Sequence, residues 1–308
     1  MCAEEVKVLA FDKAGLLAAG LTSEAIGNLT RRRGGGTSGG LGYEYQRWYA
    51  LLRVIQLATS QPDASVHMEG LCPVDDVIVE NAPGYEFSQC KTSKDTTWSG
   101  ANNKLKKEFL AQRSVNSKFG ITSYRLLLVV PDKRSASRLT AKLPVKLAKC
   151  ARVVLFPLAA PIHHHWTVPD CQSALDQLLP PLIRGASQRE QLYRNISAAA
   201  NSPWHTVTGR QLIGKVLEMN RELPVVVQAN ACGSWTVTMD LWNQALSCLG
   251  KIAGLKVDVT GDICCYALPP TDTGFVARCD STRFRSFVAS VITNQPRTMQ
   301  EFMEVLPI

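Results

Sequence analysis

Two kinds of hydrophobic spacing alternate along the first half of the chain. Between residues 42 and 58, large side chains recur every three or four positions at Tyr45, Trp48, Leu52 and Ile55, which predicts a helix with one buried face. Shorter apolar runs predict strands at 65–69, 75–80, 85–91, 124–130 and 151–156. Helical patterns return at 102–119 and 135–147. This order predicts an α/β fold in which helices flank a mixed sheet.

The second half of the chain has a different pattern. After Pro161 helical spacing dominates, and two apolar runs predict strands at 256–260 and 263–268. The predicted helices occupy 171–184, 188–200, 208–220, 235–249, 283–292 and 298–305. We therefore expect an N-terminal extension (1–34), an α/β domain (35–160) and a smaller α+β C-terminal domain (161–308). Arg31 to Gly40 is rich in arginine and glycine and predicts a flexible linker.

Charge is distributed unevenly. The 308 residues include 34 Lys and Arg against 26 Asp and Glu, a formal net charge of +8. Between Lys91 and Lys149 there are 14 basic residues and three acidic ones. A block of one sign favours a polyanion partner such as nucleic acid over an acidic protein or a small anionic metabolite. The hydrophobic content of 45% excludes a disordered chain.

The sequence also favours a cytoplasmic protein. No run of about 18 apolar residues predicts a membrane span. A secretory signal is not expected, because the first residues include the acidic Glu4, Glu5 and Asp12 instead of a basic segment. The ten cysteines are irregularly spaced and include no C-x-x-C pair, as expected of reduced thiols.

Candidate chemistry lies in the predicted hairpin of the second and third strands. Asp75 and Asp76 open one strand, and Gln89 and Lys91 close the next. Residues two apart on a strand share a face, so the Gln89 amide and the Lys91 ammonium project together. Carboxylate and amide oxygens suit Mg²⁺, and Lys91 could orient or deprotonate an attacking water or stabilise charge on a phosphoryl group. The alternative is a solvated turn followed by an ordinary surface lysine.

These residues resemble a known family. The run Gly42-Tyr43-Glu44-Tyr45-Gln46, then Asp75-Asp76-Val77-Ile78-Val79 and Gln89-Cys90-Lys91, resembles the nuclease domain of bacterial anti-phage effectors. These effectors are the CD-NTase-associated endonucleases of CBASS and the nuclease subunits of Lamassu (ABC three-component) systems, both of the PD-(D/E)xK superfamily. The resemblance covers about residues 35–155. It implies a restriction-endonuclease-like fold and an endodeoxyribonuclease that depends on Mg²⁺ or Mn²⁺.

The resemblance also implies roles for individual residues. Asp76 or Asp75 would bind the metal, Gln89 would replace the usual acidic residue, and Lys91 would be the catalytic lysine. Gln46 or Glu44 on the first helix would add a polar contact to the metal or to water. Because glutamine removes one negative charge from the metal site, a carboxylate from Glu44 or Glu69 could compensate. The sequence does not decide between the two aspartates, since a shift of one residue reverses the face.

The basic block then fits double-stranded DNA. The expected phosphate contacts are Lys94, Lys104, Lys106, Lys107, Arg113 and Lys118. No base-reading module is evident, so we expect low sequence specificity. Such an enzyme must be held inactive, which implies a partner or homo-oligomerisation. The C-terminal half is short for the nucleotide-sensing SAVED domain of CBASS relatives, and its length fits a domain that docks on an SMC-like ATPase better.

Two other functions remain open at this stage. A non-enzymatic DNA-binding or scaffolding subunit could have kept the fold and lost catalysis. A nuclease that acts on RNA would make the same phosphate contacts. Trp204, Trp235 and Trp242 are expected in the core rather than at an interface.

Overall fold

The protein divides into two compact units. A computed structural model describes residues 13–18, 20–36, 40–81, 84–99, 104–158, 162–200, 206–220, 223–226, 235–270 and 272–307, without the side chains of 31–36, 162 and 163. The first unit comprises Met1–Val54, Asp63–Ile162 and Pro203–Thr208. The second comprises Ile55–Pro62, His163–Ser202 and Gly209–Ile308.

The first unit is built on a six-stranded mixed sheet. Its helices are α1 (Lys13–Ala18), α2 (Ser23–Gly36), α3 (Leu41–Ser60, whose last turns belong to the second unit), α4 (Lys104–Lys118) and α5 (Lys133–Ala141). Its strands are β1 (Ser65–Met68), β2 (Val77–Asn81), β3 (Gly84–Cys90), β4 (Tyr124–Val130), β5 (Ala151–Leu155) and β6 (Thr206–Thr208). The strand order is β5-β4-β3-β2-β1-β6. This arrangement confirms the predicted mixed α/β fold.

Strand direction divides this sheet into two parts. β6, β1, β2 and β3 pair antiparallel, whereas β3, β4 and β5 run parallel. The connections from β3 to β4 and from β4 to β5 contain α4 and α5, as parallel pairing requires. The carboxyl ends of β3, β4 and β5 therefore meet at one edge of the sheet, and their amino ends meet at the opposite edge.

The helices pack on the two faces of the sheet. On one face, Phe87 of β3 shares a buried cluster with Phe109 of α4 and Leu139 of α5. Trp98 closes this cluster, stacking edge-on against Phe109 and donating a hydrogen bond to the Leu139 carbonyl at 2.9 Å. Ser88 and Cys90 point to the other face because side chains alternate along a strand, and α3 packs there.

The second unit combines helices with a small antiparallel sheet. Its helices are α6 (Pro169–Leu178), α7 (Ala186–Ala199), α8 (Gly209–Met219), α9 (Met239–Leu249), α10 (Thr282–Asn294) and α11 (Met299–Val305). Its strands are β7 (Lys256–Thr260), β8 (Ile263–Leu268) and β9 (Asp272–Arg278), in the order β7-β8-β9. Trp242, Phe284, Phe287 and Phe302 lie in its core, and Trp235 packs against them. The core prediction is confirmed for Trp242, Trp235 is partly buried at the edge of this core, and Trp204 lies outside the described residues.

Several sequence predictions were wrong in detail. Residues 31–36 continue α2, so the predicted linker there is helical. The helix predicted at 135–147 ends at Ala141, because Pro144 disfavours helical backbone before it. The helix predicted at 171–184 ends at Leu178, ahead of Pro180 and Pro181. The strand predicted to begin at Asp75 begins at Val77. β6 and β9 were not predicted.

Two further observations concern cysteines and membranes. The eight cysteines in the described part of the chain are free thiols. Across the same residues, no helix has the length and apolar character needed to cross a bilayer.

Candidate active site

Three neighbouring strands bring Glu69, Asp76 and Gln89 into line. Met68 pairs with Val77, and Val77 pairs with Ser88. The next position along this register therefore places Glu69 beside Asp76 and Asp76 beside Gln89. The Glu69 amide donates to the Asp76 carbonyl at 3.2 Å, which extends the pairing one residue beyond the strands.

A buried contact joins Asp76 to the end of β3. The Asp76 Oδ2 atom accepts hydrogen bonds from Gln89 Nε2 at 2.5 Å and from the Cys90 amide at 2.6 Å. The two side chains are buried, with Gln89 only 2% exposed. The Gln89 Nε2 atom points at the carboxylate, and the Oε1 atom of the same amide is buried without a hydrogen-bond partner. Such an atom is costly unless another group binds it.

Lys91 lies directly beyond this contact. Its amide donates to the Val129 carbonyl of β4 at 2.9 Å, which fixes the backbone at the carboxyl edge of the sheet. Burial raises the pKa of the Cys90 thiol, the nearby Asp76 carboxylate raises this pKa further, and the Lys91 ammonium lowers it. Both charges are therefore close enough to Cys90 to influence its thiol. This end of β3 therefore holds the Asp76 carboxylate, the Gln89 amide oxygen and the half-buried residue Lys91.

The other predicted carboxylates are close along the chain. Asp75 and Glu69 are both 8% exposed, and the Asp75 carbonyl accepts from the Gly70 amide at 2.9 Å. Glu69 has a φ of 54°, in the left-handed region that non-glycine residues seldom adopt. The Gln89 side chain and the Cys90 amide both donate hydrogen bonds to Asp76, which makes Asp76 the better candidate of the two aspartates.

α3 approaches the end of β3 from the other face. Arg53 forms an ion pair with Glu86, and one turn earlier the Tyr49 hydroxyl bonds to Ser88. Burial, the largest effect, raises the pKa of Tyr49 to about 12, so its phenol stays neutral. One turn earlier again, the Tyr45 hydroxyl donates to the Phe156 carbonyl at 2.7 Å. α3 thus runs antiparallel to β3.

Gln46 and Glu44 lie at the first turns of this helix. Each turn of α3 towards its start corresponds to two residues further along β3, since Arg53 contacts Glu86 and Tyr49 contacts Ser88. The next turn of α3, which holds Gln46, therefore lies level with Cys90. The Gln46 Oε1 atom is buried without a hydrogen-bond partner. Within the described residues, neither Gln46 nor Glu44 hydrogen-bonds to Asp76, Gln89 or Lys91. The structure therefore joins Asp76 to Gln89 by a hydrogen bond, with Lys91 two residues further along the chain, and α3 is a neighbouring element.

The donor atoms fit a hard cation. The Asp76 carboxylate and the orphaned Gln89 Oε1 are both oxygen ligands of the kind Mg²⁺ binds, and Mg²⁺ needs few protein ligands because it keeps several waters. Among the described residues, no group of three or more His, Cys, Asp and Glu side chains could hold a metal ion. Any metal bound by this site would therefore depend on amide or water oxygens in addition to carboxylates.

The predicted DNA contacts fall at both edges of the sheet. α4 begins with Lys104, Lys106 and Lys107 after the carboxyl end of β3 and runs back to Lys118 near the amino end of β4. Lys94 is exposed, and its carbonyl accepts from Arg138 at 2.7 Å. At the far end, the exposed Arg113 donates to the Lys146 carbonyl at 2.6 Å, and Lys118 to the Gly20 carbonyl at 3.3 Å.

Sequence reasoning missed the contacts that hold α3 to the sheet. Glu86 is 3% exposed, and it pairs with Arg53 and with Arg125, the latter at 2.8 Å. A glutamate at an inward position of a predicted strand was the signal, because buried carboxylates are seldom unpaired. The predicted DNA contacts did not include the exposed lysines after α5, which are Lys142, Lys146 and Lys149.

Comparison with known proteins bears on the first unit. Residues 34–142 match the family model described as Cap4, dsDNA endonuclease domain. No curated protein and no solved structure gives a significant match. The matched residues include β2, β3, α4 and all of Asp76, Gln89 and Lys91. The predicted resemblance to the CBASS endonuclease domain is thus confirmed, and about a third of the chain is similar to the Cap4 dsDNA endonuclease domain.

Proposed function

We propose that this protein is a metal-dependent DNA endonuclease that acts as an effector of anti-phage or anti-plasmid defence. The observation that carries the proposal is the buried contact of Asp76 with Gln89 beside Lys91, inside the residues that match a dsDNA endonuclease domain. A hydrolase that cuts a phosphodiester needs an oxygen-rich pocket for a cation and a positive group near the phosphate. The Asp76 and Gln89 oxygens and the nearby Lys91 at this edge of the sheet support the proposal.

Each residue has a distinct role in this proposal. Asp76 and the Gln89 oxygen would hold Mg²⁺ or Mn²⁺, which supplies Lewis-acid polarisation of the phosphate. The Lys91 ammonium would orient the attacking water and stabilise negative charge on the phosphoryl oxygens. Gln46 would contribute a polar contact from α3. Asp75, Glu69 and Glu44 are second choices as ligands.

The basic block supports duplex DNA as the substrate. Lys94, Lys104 and Lys107 are exposed on segments that follow β3, where a bound duplex would place its phosphates. Phosphate contacts carry no sequence information, so cleavage would have low specificity. Such activity would be controlled by a partner, such as an SMC-like ATPase complex, or by homo-oligomerisation.

Replacement of Lys91 tests the proposal directly. Lys91→Ala should lower Mg²⁺-dependent plasmid cleavage at least about 100-fold, because removing one charge-stabilising group costs about 10²–10³ in rate. Duplex binding in EDTA should stay within about twofold of wild type. Chelation should abolish wild-type cleavage, and Mg²⁺ or Mn²⁺ should restore it. The matched control is Lys251→Ala, which removes an exposed lysine of the second unit.

The same assay distinguishes the endonuclease from the main alternative function. A catalytically silent DNA-binding or scaffold subunit is favoured by the glutamine at position 89, because its amide donates to the Asp76 carboxylate where an acidic residue would add a second negative charge for a cation. That function predicts DNA binding without nicking in any divalent metal, with or without an activating partner. Full activity of Lys91→Ala, with a metal still required, would instead overturn the site assignment.

A further inference from the structure

The segment between α5 and β5, residues 142–149, is a basic loop. It carries three exposed lysines, Lys142, Lys146 and Lys149. From Lys133 to Lys149 the sequence has six basic residues and no acidic one. Exposed surfaces usually mix signs, so this loop has an unbalanced positive charge that favours an anionic partner.

An exposed valine lies among these lysines. Val145 is 90% exposed, the highest value for a large hydrophobic side chain in the described residues. It begins a short 3-10 turn, Val145–Leu147, that follows Pro144. Leu147, at the other end of the turn, is fully buried and belongs to the core of the first unit. Leu147 therefore anchors the turn in the core, and the Val145 side chain is exposed to solvent.

Hydrogen bonds hold the loop in this form. The Leu147 amide donates to the Pro144 carbonyl at 2.8 Å, and the Cys150 amide to the Leu147 carbonyl at 3.0 Å. Two arginines of neighbouring elements bind further carbonyls: Arg113 donates to Lys146 at 2.6 Å, and Arg152 to Ala148 at 3.2 Å. The backbone is thus fixed without any contribution from the lysine ammonium groups or the Val145 side chain.

The loop lies at the opposite edge of the sheet from Lys91. β5 runs parallel to β3 and β4, so its preceding loop is at the amino edge, whereas Lys91 is at the carboxyl edge. The five residues of β5 separate the two edges by about 16 Å. α4 spans the same distance, from Lys104 near one edge to Arg113, which contacts the loop. Basic residues of α4 therefore lie near both edges of the sheet.

We propose that the 142–149 loop is a second contact for duplex DNA, with its lysines on phosphates and Val145 inserted against a groove. This inference rests on the proposed endonuclease function. Protein interfaces are enriched in aromatic residues and depleted of lysine, and this loop has the opposite composition. Proteins that bind the minor groove combine basic side chains with a protruding aliphatic residue. The partner that fits both features is duplex DNA.

Equilibrium binding of a fluorescein-labelled 24-base-pair duplex in EDTA tests the proposal without cleavage. The triple variant Lys142→Ala, Lys146→Ala and Lys149→Ala should bind more weakly, and its plot of log affinity against log salt should be less steep by about 2–3, because each phosphate contact contributes about 0.9. Val145→Ala should weaken binding severalfold with an unchanged slope, since it removes no charge. The control is the triple variant Lys215→Ala, Lys251→Ala and Lys256→Ala, in the second unit.

The outcomes separate this inference from the proposed function. Wild-type affinity and slope in the loop triple variant would overturn the inference even if the protein cuts DNA, and would direct attention to an acidic protein partner. Weakened binding in that variant together with full activity of Lys91→Ala would support the loop and overturn the active-site assignment. Failure of the wild-type protein to bind duplex DNA would overturn both.

Discussion

At the scale of single residues, the contact between Asp76 and Gln89 raises a question of charge. The buried Asp76 carboxylate accepts hydrogen bonds from Gln89 Nε2 and from the Cys90 amide. A glutamate at position 89 would replace one donor by a second buried carboxylate. Two carboxylates at this distance repel each other unless a proton or a cation lies between them.

Gln89→Glu should therefore make stability depend on metal. In EDTA the variant should lose about 2 kcal/mol or more, a fall in Tm of about 4–8 °C, because a buried acceptor loses its donor and a like charge is added. Addition of Mg²⁺ should recover most of the loss, since a ligand that binds the folded state stabilises it. Differential scanning fluorimetry with and without Mg²⁺ measures both effects.

Gln112→Glu is the matched control for this prediction. Gln112 is also fully buried, but its amide contacts are the Val74 amide at 3.1 Å and Asn116 at 2.9 Å. This variant should be destabilised with no recovery in Mg²⁺. Equal recovery in both variants, or none in Gln89→Glu, would contradict the assignment of a cation to the Gln89 oxygen.

The sequence could predict these residues but not their arrangement. The alternation of polar and apolar positions was enough to group Gln89 with Lys91. It could not choose between Asp75 and Asp76, because β2 begins two residues later than its apolar pattern suggested and the strand register decides the neighbour. Glu86 was passed over because its partners, Arg53 and Arg125, lie on other elements of the first unit.

At the scale of elements, the sequence pattern predicted a strand or helix correctly where the residues of the segment itself determine its structure. β4, β7 and β8 begin and end where their apolar runs do, and the helices changed mainly at prolines. The strands β6 and β9 were not predicted, because their formation depends on pairing with other strands. β6 has three residues, and it exists through pairing with the distant β1. β9 contains polar residues and Gly274, and it pairs with β8 through a register shift.

Two glycines of α8 should respond to the same substitution with opposite signs. A Cβ at Gly209 would lie 2.5 Å from the Ala58 Cα, a backbone atom that cannot move aside, whereas a Cβ at Gly214 would meet nothing within 4 Å. Gly214→Ala should stabilise the protein by about 0.5–1 kcal/mol through helix propensity. Gly209→Ala should destabilise it by about 1–3 kcal/mol through overpacking. Urea unfolding of the two variants measures the difference.

At the scale of the whole molecule, the charge asymmetry maps onto the two halves of the chain. Residues 1–150 hold 21 of the 34 basic residues and 14 of the 26 acidic ones, so the second half is nearly neutral. Composition alone predicted a polyanion partner for the first half. It could not predict that Arg113 and Lys118 bond to backbone carbonyls, or that basic residues reach both edges of the sheet, since both depend on how α4 and α5 return along the strands.

This asymmetry predicts that DNA binding depends on salt through the first unit alone. Lys104→Ala, Lys106→Ala and Lys107→Ala together remove three charges from the start of α4, beside the carboxyl edge of the sheet. If each neutralises one phosphate, the plot of log affinity against log salt should become less steep by about 2–3. The triple replacement of Lys215, Lys251 and Lys256 changes net charge equally and should leave the slope unchanged. Equal effects of the two triple variants would show that net charge, rather than a DNA-binding face, governs the interaction.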